Sequence, residues 1–450
     1  MMAGCSTYSA KPLDKAALDK ALAAPSLESV KVAAGSLRHP LIRPIVIDGR
    51  GGFSPDEIAV MAVLLSPDLR ALRDQRGVAG AQVLQAGILP NPQLGYSVDV
   101  PHGNADPTVV PAHGLSLTWD LAALVSRGDH VAAARADSES IDLSVAWQEW
   151  QAAQEARLRA FRIVSIEARL RLAREAEDNL AGTVGLIKKA AGLGYRTLPD
   201  LTAAVTAWAD TRHARLELEQ QDSSERTALD LELGRAPGEV VPLKPAVDFP
   251  VLAADQGTAD SLLSGLEERR LDLLALRRGY ESQEATLRAA VLSQFPRIGV
   301  SLNKARDTTP IYTRGYGVAI DIPIFDRNQG AVAAGRATRQ QLFDEYVARV
   351  AEARSQVPEI IAELAVIREE IKSVADELPG LRRTAASYDT ALRAGTVDAP
   401  AAGEARAAEL GMEIELSRLH QQALELSVAL EVAAGRPLLN IAANTPWISP

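Results

Sequence analysis

Leu94-Gly95-Tyr96-Ser97-Val98-Asp99-Val100 alternates apolar with small or polar residues without a break. So do Leu115-Ser116-Leu117-Thr118-Trp119-Asp120-Leu121, Ile298-Gly299-Val300-Ser301-Leu302-Asn303 and Tyr316-Gly317-Val318-Ala319-Ile320-Asp321-Ile322. A period of two sends alternate side chains to opposite faces of a strand. Each segment therefore has one apolar face and one face of Gly, Ser, Thr, Asp and Asn. Two environments satisfy that pattern: a sheet packed on helices, or a membrane barrel with a lipid-facing exterior and a wet lumen. The connections Pro101–His113 and Lys304–Arg314 are polar and read as exposed loops between hairpin strands. Strands are expected over about 93–100, 114–121, 297–303 and 315–322.

The two strand pairs belong to a duplication of the chain. Leu69-Arg70-Ala71-Leu72 aligns with Leu273-Leu274-Ala275-Leu276, 204 positions later, and Asn91-Pro92-Gln93-Leu94-Gly95 aligns with Phe295-Pro296-Arg297-Ile298-Gly299 at the same offset. Leu193-Gly194-Tyr195 matches Ala394-Gly395-Thr396, and Gly234-Arg235 matches Gly435-Arg436, both at 201. Each half reads as short helix, strand, loop, strand, long helix, Gly-containing turn, long helix. The expected organisation is a tether over 1–52, a first repeat over 53–250, a second over 251–438 and a tail over 439–450. Helical-hairpin tips are expected near 194–200 and 395–401.

From Arg127 to Leu193 there is no proline, and a helix of that length reaches roughly 100 Å at 1.5 Å per residue. Ile163, Leu170, Glu177 and Val184 recur at sevens, with Ile166, Ala173, Leu180 and Ile187 three residues on. This is an apolar seam for neighbouring helices, with one polar lapse at Glu177. The Arg and Glu residues between read as a solvated or inter-helix face. In the second half Pro358 and Pro379 are expected to kink or break the equivalent helix.

Among 450 residues, 47% are hydrophobic, 24% charged and 4% aromatic, which suits a large helical core. The net charge of −10, with no basic run, argues against nucleic acid as a partner. No stretch of eighteen apolar residues occurs, so no transmembrane helix is expected, although a barrel would leave no such signal. The six histidines are scattered, no HExxH, CxxC, GxSxG or GxxxxGK is present, and neither a catalytic centre nor a cofactor or metal site is expected. The single cysteine lies in Met2-Ala3-Gly4-Cys5-Ser6, which resembles a bacterial lipobox. Cys5 is the expected acylation site, and residues 6–52, rich in Pro, Ala and Ser, are expected to form an extended tether. No charged or apolar export segment precedes Cys5, so the sequence is read as a near-mature form or as starting downstream of the true start.

Taken in order, these motifs resemble the TolC-like outer-membrane efflux protein family. The carrying residues are Ser66-Pro67-Asp68-Leu69-Arg70-Ala71-Leu72 with Ala79, Ala86 and Asn91-Pro92-Gln93-Leu94; Gly194-Tyr195-Arg196-Thr197-Leu198-Pro199-Asp200-Leu201 with Ala204; and Gly395-Thr396-Val397 with Glu404-Ala405-Arg406. Ile322-Pro323-Ile324-Phe325-Asp326-Arg327-Asn328-Gln329-Gly330 looks most like the branch that works with heavy-metal efflux pumps. The resemblance covers about residues 54–438. It implies a mainly α chain whose long hairpins build a periplasmic tunnel and whose four strands join a trimeric, twelve-stranded outer-membrane barrel. It also implies a passive conduit, partnered by a periplasmic adaptor and an inner-membrane pump. The adaptor would dock at Gly194, Tyr195, Arg196, Gly395, Thr396 and Val397, and the pore gate would include Asp200 and Glu404. Ala401 stands where relatives often carry Asp. Four strands cannot close a barrel alone, since the smallest closed ones have about eight, so oligomerisation is required on either reading of two chains or three. A soluble coiled-coil scaffold is the rival class; it accounts for the helices but not for duplicated alternating strands.

Overall fold

Ser54 marks the start of the repeated architecture. Its hydroxyl accepts from the backbone N–H of Glu57 at 3.2 Å, the Glu57 carboxylate accepts from the Ser54 N–H at 2.6 Å, and Pro55 opens the helix. In the computed structural model, which describes residues 7–23, 25–103, 108–235, 238–245, 256–309 and 311–438, two short helices come first. These are α1 (Lys15–Leu22) and α2 (Leu27–Gly35). The first repeat then runs α3 (Pro55–Leu65), α4 (Pro67–Gly87), β1 (Gln93–Asp99), β2 (Ala112–Asp120), α5 (Ala122–Gly192) and α6 (Leu198–Glu232). The second runs α7 (Gln256–Leu263), α8 (Leu271–Leu292), β3 (Arg297–Arg306), β4 (Tyr312–Asp321), α9 (Gln329–Arg393) and α10 (Ala399–Ala434). The boundary near 250 and the tail over 439–450 lie outside the described residues.

The chain divides into two compact units, and each draws on both repeats. The first takes residues 1–70, 148–266 and 354–450; the second takes 71–147 and 267–353. In the first unit the apolar seam of α5 is buried as its heptad spacing requires. Ile163, Ile166, Leu170, Ala173, Leu180 and Ile187 are all buried, and Ile166, Leu170 and Ala173 pack with Leu218 of α6 against Ile414 of α10. A second cluster joins Leu262 of α7, Val357, Ile361 and Leu364 of α9, and Ala423 and Leu430 of α10. The polar lapse at Glu177 is filled by Arg215 of α6. Other Arg–Glu pairs also cross between helices: Arg159 to Glu225 at 3.0 Å, Arg162 to Glu425 at 2.7 Å, Arg226 to Glu167, and Arg406 to Glu175. Half-exposed pairs of this kind each contribute little stability. Their spacing still opposes axial slip between helices.

Two expectations are corrected. Residues 6–52 are not simply extended. Asp14 and Ser26 cap α1 and α2, and Val30, Ala34, Ile42, Ile45 and Ile47 are buried. These apolar residues lie too far apart to show a period, yet they cover enough surface to dock the segment. Of the kink or break expected at Pro358 and Pro379, the break does not occur: α9 is helical throughout from Gln329 to Arg393. Each proline removes one donor. The rest of the ladder remains, and buried neighbours pack beside each proline: Val357, Ile361 and Leu364 near Pro358, and Leu378 beside Pro379.

In the second unit the two hairpins merge into one antiparallel sheet of order β1-β2-β3-β4. The β2–β3 pairing, with Leu117 opposite Leu302 and Trp119 opposite Val300, joins the repeats. β2, β3 and β4 extend further towards the loops than alternation alone marked. The register puts Leu94, Tyr96, Val98, Leu115, Leu117, Trp119, Ile298, Val300, Leu302, Tyr316, Val318 and Ile320 on one face. The other face carries Gly95, Ser97, Ser116, Thr118, Ser301, Asn303, Gly317 and Ala319. Nothing in the described chain covers the apolar face: Leu94 is 71% exposed, Leu302 61% and Tyr316 88%. Both edge strands, β1 and β4, keep one side unpaired.

The buried ion triad of the first unit provides a direct test of its packing. Arg157 of α5, nearly inaccessible, donates to Glu431 of α10 at 2.8 Å and lies 2.9 Å from Asp56 of α3. Glu431 is fully buried and also accepts from the Leu438 N–H at 2.6 Å. Arg157→Met leaves that carboxylate without its cation. It should cost about 3–5 kcal/mol of unfolding free energy in denaturant titrations, whereas Arg174→Met at an exposed pair should cost less than about 1 kcal/mol.

Candidate functional site: the hairpin tips and the apolar sheet

Each helical hairpin reverses through the same cap. At the first tip the Gly194 N–H donates to the Ala191 carbonyl at 3.0 Å and the Tyr195 N–H to the Ala190 carbonyl at 2.9 Å. At the second, Gly395 donates to Leu392 at 3.0 Å and Thr396 to Ala391 at 2.9 Å. This is the Schellman arrangement, which needs a left-handed residue after the helix; φ is +78° at Gly194 and +71° at Gly395. Three residues after each glycine the next helix starts on a cap, Thr197 for α6 and Asp398 for α10, with Pro199 and Pro400 in the first turns.

The tips differ in what they present. Leu193, Tyr195 and Leu198 are exposed at the first tip, at 72%, 80% and 74%. The aligned residues of the second are Ala394, Thr396 and Ala399. The Thr396 hydroxyl is turned back onto the Ala391 carbonyl at 3.1 Å, and Val397 is half-buried. Arg196 reaches across to Asp398, so an ion pair joins the two tips. Asp398 uses its other oxygen to accept from the Ala401 N–H at 3.1 Å. The motif reading singled out Arg196 but missed Asp398, Leu193 and Leu198. The repeat offset that aligns Thr197 with Asp398, each followed by a proline, carried the signal for the second cap.

Asp200 sits in a capping box. Its carboxylate accepts from the Thr197 N–H at 3.0 Å, and its own N–H donates to the Thr197 hydroxyl at 3.4 Å. The Thr197 N–H, then the Thr197 hydroxyl, with help from the Arg196 charge, hold the carboxyl below the ordinary aspartate range. Ala401 occupies the equivalent third position in α10, so the second hairpin has the cap but not the box. Glu404 is exposed one turn into α10. Beside it Gly403 is buried, and a Cβ there would lie 2.5 Å from the Thr183 hydroxyl of α5. The Asn179 amide donates to the Gly403 carbonyl at 3.1 Å, so α5 and α10 pack closely just behind the tip. Cys5 lies outside the described residues.

The Phe325–Gly330 stretch turns β4 into α9 in the second unit. Asn328 is the one non-glycine residue with positive φ, at 57°, among those described. Its N–H donates to the Asp326 carboxylate at 2.8 Å, its side chain donates to the Ala290 carbonyl at 2.8 Å, and its carbonyl accepts from Val332 at 3.0 Å. The motif thus has a full structural account as a strand-to-helix turn. Among the described residues no group of three or more His, Cys, Asp or Glu is placed to hold a metal ion, and no helix is long and apolar enough to cross a membrane.

Solved structures decide the fold. Along 87% of this chain and 93% of the other, the structure superimposes on CusC with a TM-score of 0.69 at 18% identity. It matches OprN over 92% of this chain and 99% of that one, with a TM-score of 0.70 at 17% identity. The chain has the fold of these channel proteins. Residues 262–436 also match the family described as outer membrane efflux protein. Over 275 residues the chain is 25% identical to the cobalt-zinc-cadmium resistance protein CzcC of Cupriavidus metallidurans. That stretch covers 59% of this chain and spans 62% of the length of CzcC. The matched family and the matched folds are those that the motifs resemble.

Two outcomes test the tip geometry. Gly403→Ala should force α5 and α10 apart and destabilise the protein by about 1–3 kcal/mol, and adding Thr183→Ala should restore most of the loss, read as a double-mutant cycle in denaturant. The lowered Asp200 carboxyl stabilises the cap fully above the ordinary aspartate range, and that contribution is lost as pH falls through the lowered value. Protection of the Thr197 amide, which donates to the Asp200 carboxylate, should therefore persist from neutral pH into the ordinary aspartate range and fall only below it. In Asp200→Ala it should be low throughout.

Proposed function

We propose that three copies of this chain form an exit duct in the bacterial outer membrane, each giving four strands to a twelve-stranded barrel and two hairpins to a periplasmic tunnel. The observation that carries this reading is the uncovered apolar face of β1–β4 with its two open edges. In water such a face is an aggregation liability. In hydrocarbon the face is at home, but each unpaired edge group costs several kcal/mol, so the edges must pair between subunits. The polar face of Gly, Ser, Thr and Asn then lines a wet lumen.

The conduit is passive, and an inner-membrane pump supplies the free energy. A periplasmic adaptor docks on the tips at Gly194, Tyr195, Arg196, Gly395, Thr396 and Val397, and the exposed Leu193 and Leu198 give the first tip most of the apolar contact. Asp200 and Glu404 form an anionic ring at the tunnel mouth, thinned by Ala401, which favours cations. The cargo is divalent metal cations, in keeping with the likeness to CzcC and the Phe325–Gly330 stretch. Acyl chains on Cys5 anchor the amino terminus at about 0.8 kcal/mol per buried CH₂.

The protein should pellet with outer membranes, require detergent, and run as a trimer by light scattering. A strain lacking it should become sensitive to cobalt, zinc or cadmium, and recovery of a monodisperse monomer in plain buffer would instead favour a coiled-coil scaffold. In planar bilayers Arg196→Ala should raise conductance by releasing the tips. Asp200→Ala with Glu404→Ala should reduce cation selectivity; unchanged selectivity would remove both from the gate.

A further inference from the structure

The apolar face of the sheet ends in positive charge, on the side of the loops and nowhere else. Counting by twos from Ile298, Val300 and Leu302, β3 continues on the same face to Lys304 and Arg306. On β4, Arg314 and Tyr312 follow from Val318 and Tyr316 on that face. Lys304 stands directly opposite Arg314, and Arg306 opposite Tyr312, with the guanidinium 5.9 Å from the Tyr312 ring centre. On β2 the neighbours are Leu115, opposite Lys304, and His113, opposite Arg306. The Tyr96 hydroxyl meets His113 Nδ1 at 2.9 Å.

Two features of this cluster are costly as they stand. Like charges directly across a strand pair repel, and Lys304 with Arg314 is such a pair. Arg306 Nε is shielded from solvent and has no acceptor. Among the described residues no acidic side chain pairs with Lys304, Arg306 or Arg314. Beyond the helix end of the strands the exposed large residues are apolar, including Phe295, Ile322, Ile324 and Phe325. Lys304 lies about 20 Å along the strand from Ile298, within the height of a barrel's apolar band of about 25 Å and its interface. An anion bound here has Leu302, Tyr316 and Leu115 beside it on the same face, so a carrier that is apolar next to its charge buries surface that a bare ion leaves uncovered. A free phosphate ion does not meet that condition. A lipid does.

We propose that Lys304, Arg306 and Arg314 cradle the phosphate of a lipid headgroup on the outer surface of the barrel at its loop end. The phosphate relieves the Lys304–Arg314 repulsion and gives the shielded Arg306 Nε an acceptor, while the acyl chains lie on the apolar face. The proposal rests on the barrel reading above and adds a lipid class and a position to it.

The test uses native mass spectrometry of the full-length protein from micelles containing equal amounts of phosphatidylcholine and phosphatidic acid, with bound lipids counted. The wild type should retain phosphatidic acid over phosphatidylcholine by about tenfold or more, from roughly three interfacial cations. Lys304→Gln with Arg314→Gln should bring the ratio near one while the detergent-stable oligomer survives. Arg297→Gln, on the opposite face, should leave the ratio unchanged. An equal ratio in wild type and double variant overturns the proposal. So does displacement of the retained lipid by inorganic phosphate, which would mark a simple anion site. Failure of the barrel reading looks different: no lipid of either kind is carried, and the chain is monomeric without detergent.

Discussion

A four-stranded sheet with a bare apolar face and two bare edges cannot be a finished structure. The apolar side chains ask for hydrocarbon, but hydrocarbon forbids unpaired backbone at the edges. In the proposed duct, closure against further copies meets both demands. The rest of the chain follows from that constraint. The duplication supplies four strands from two similar hairpins, the β2–β3 pairing fuses them, and α5, α6, α9 and α10 supply the long helices of the fold.

Much of this was legible in the residues. Strict alternation marked the strands because a half-wet sheet writes its two faces directly into the sequence. Most of the heptad seam of α5 was legible too: Ile163, Ile166, Leu170, Ala173, Leu180 and Ile187 are buried where the spacing put them, while Val184 is half-buried. The repeat was legible in paired glycines, since Gly194 with Gly395 and Gly234 with Gly435 close helices by the same cap, while the fold class itself came from the family resemblance of the ordered motifs.

What escaped the sequence was cooperative or non-local. The docking of residues 30–47 depends on five buried apolar side chains with no common period. The persistence of α9 through Pro358 and Pro379 depends on neighbours that only tertiary structure supplies, against a local rule that predicts a break. At the tips, the glycines were legible because a left-handed turn has few substitutes. The Arg196–Asp398 tie was not, because its partners stand about two hundred positions apart and neither is unusual in its own stretch. Asp200 shows how a residue marked for a gate also has a local task, the capping box, that a single sequence cannot separate from it.

The central claim is that the alternation in β3 is an alternation between lipid and water. Site-directed spin labels at successive positions from Ile298 to Asn303, in a Cys5→Ser background, can be reconstituted in bilayers and probed by collision with oxygen and with a water-soluble nickel chelate. Labels at Ile298, Val300 and Leu302 should collide with oxygen and be hidden from nickel, and labels at Gly299, Ser301 and Asn303 should show the reverse. Nickel access at all six positions, with no period of two, would contradict the account.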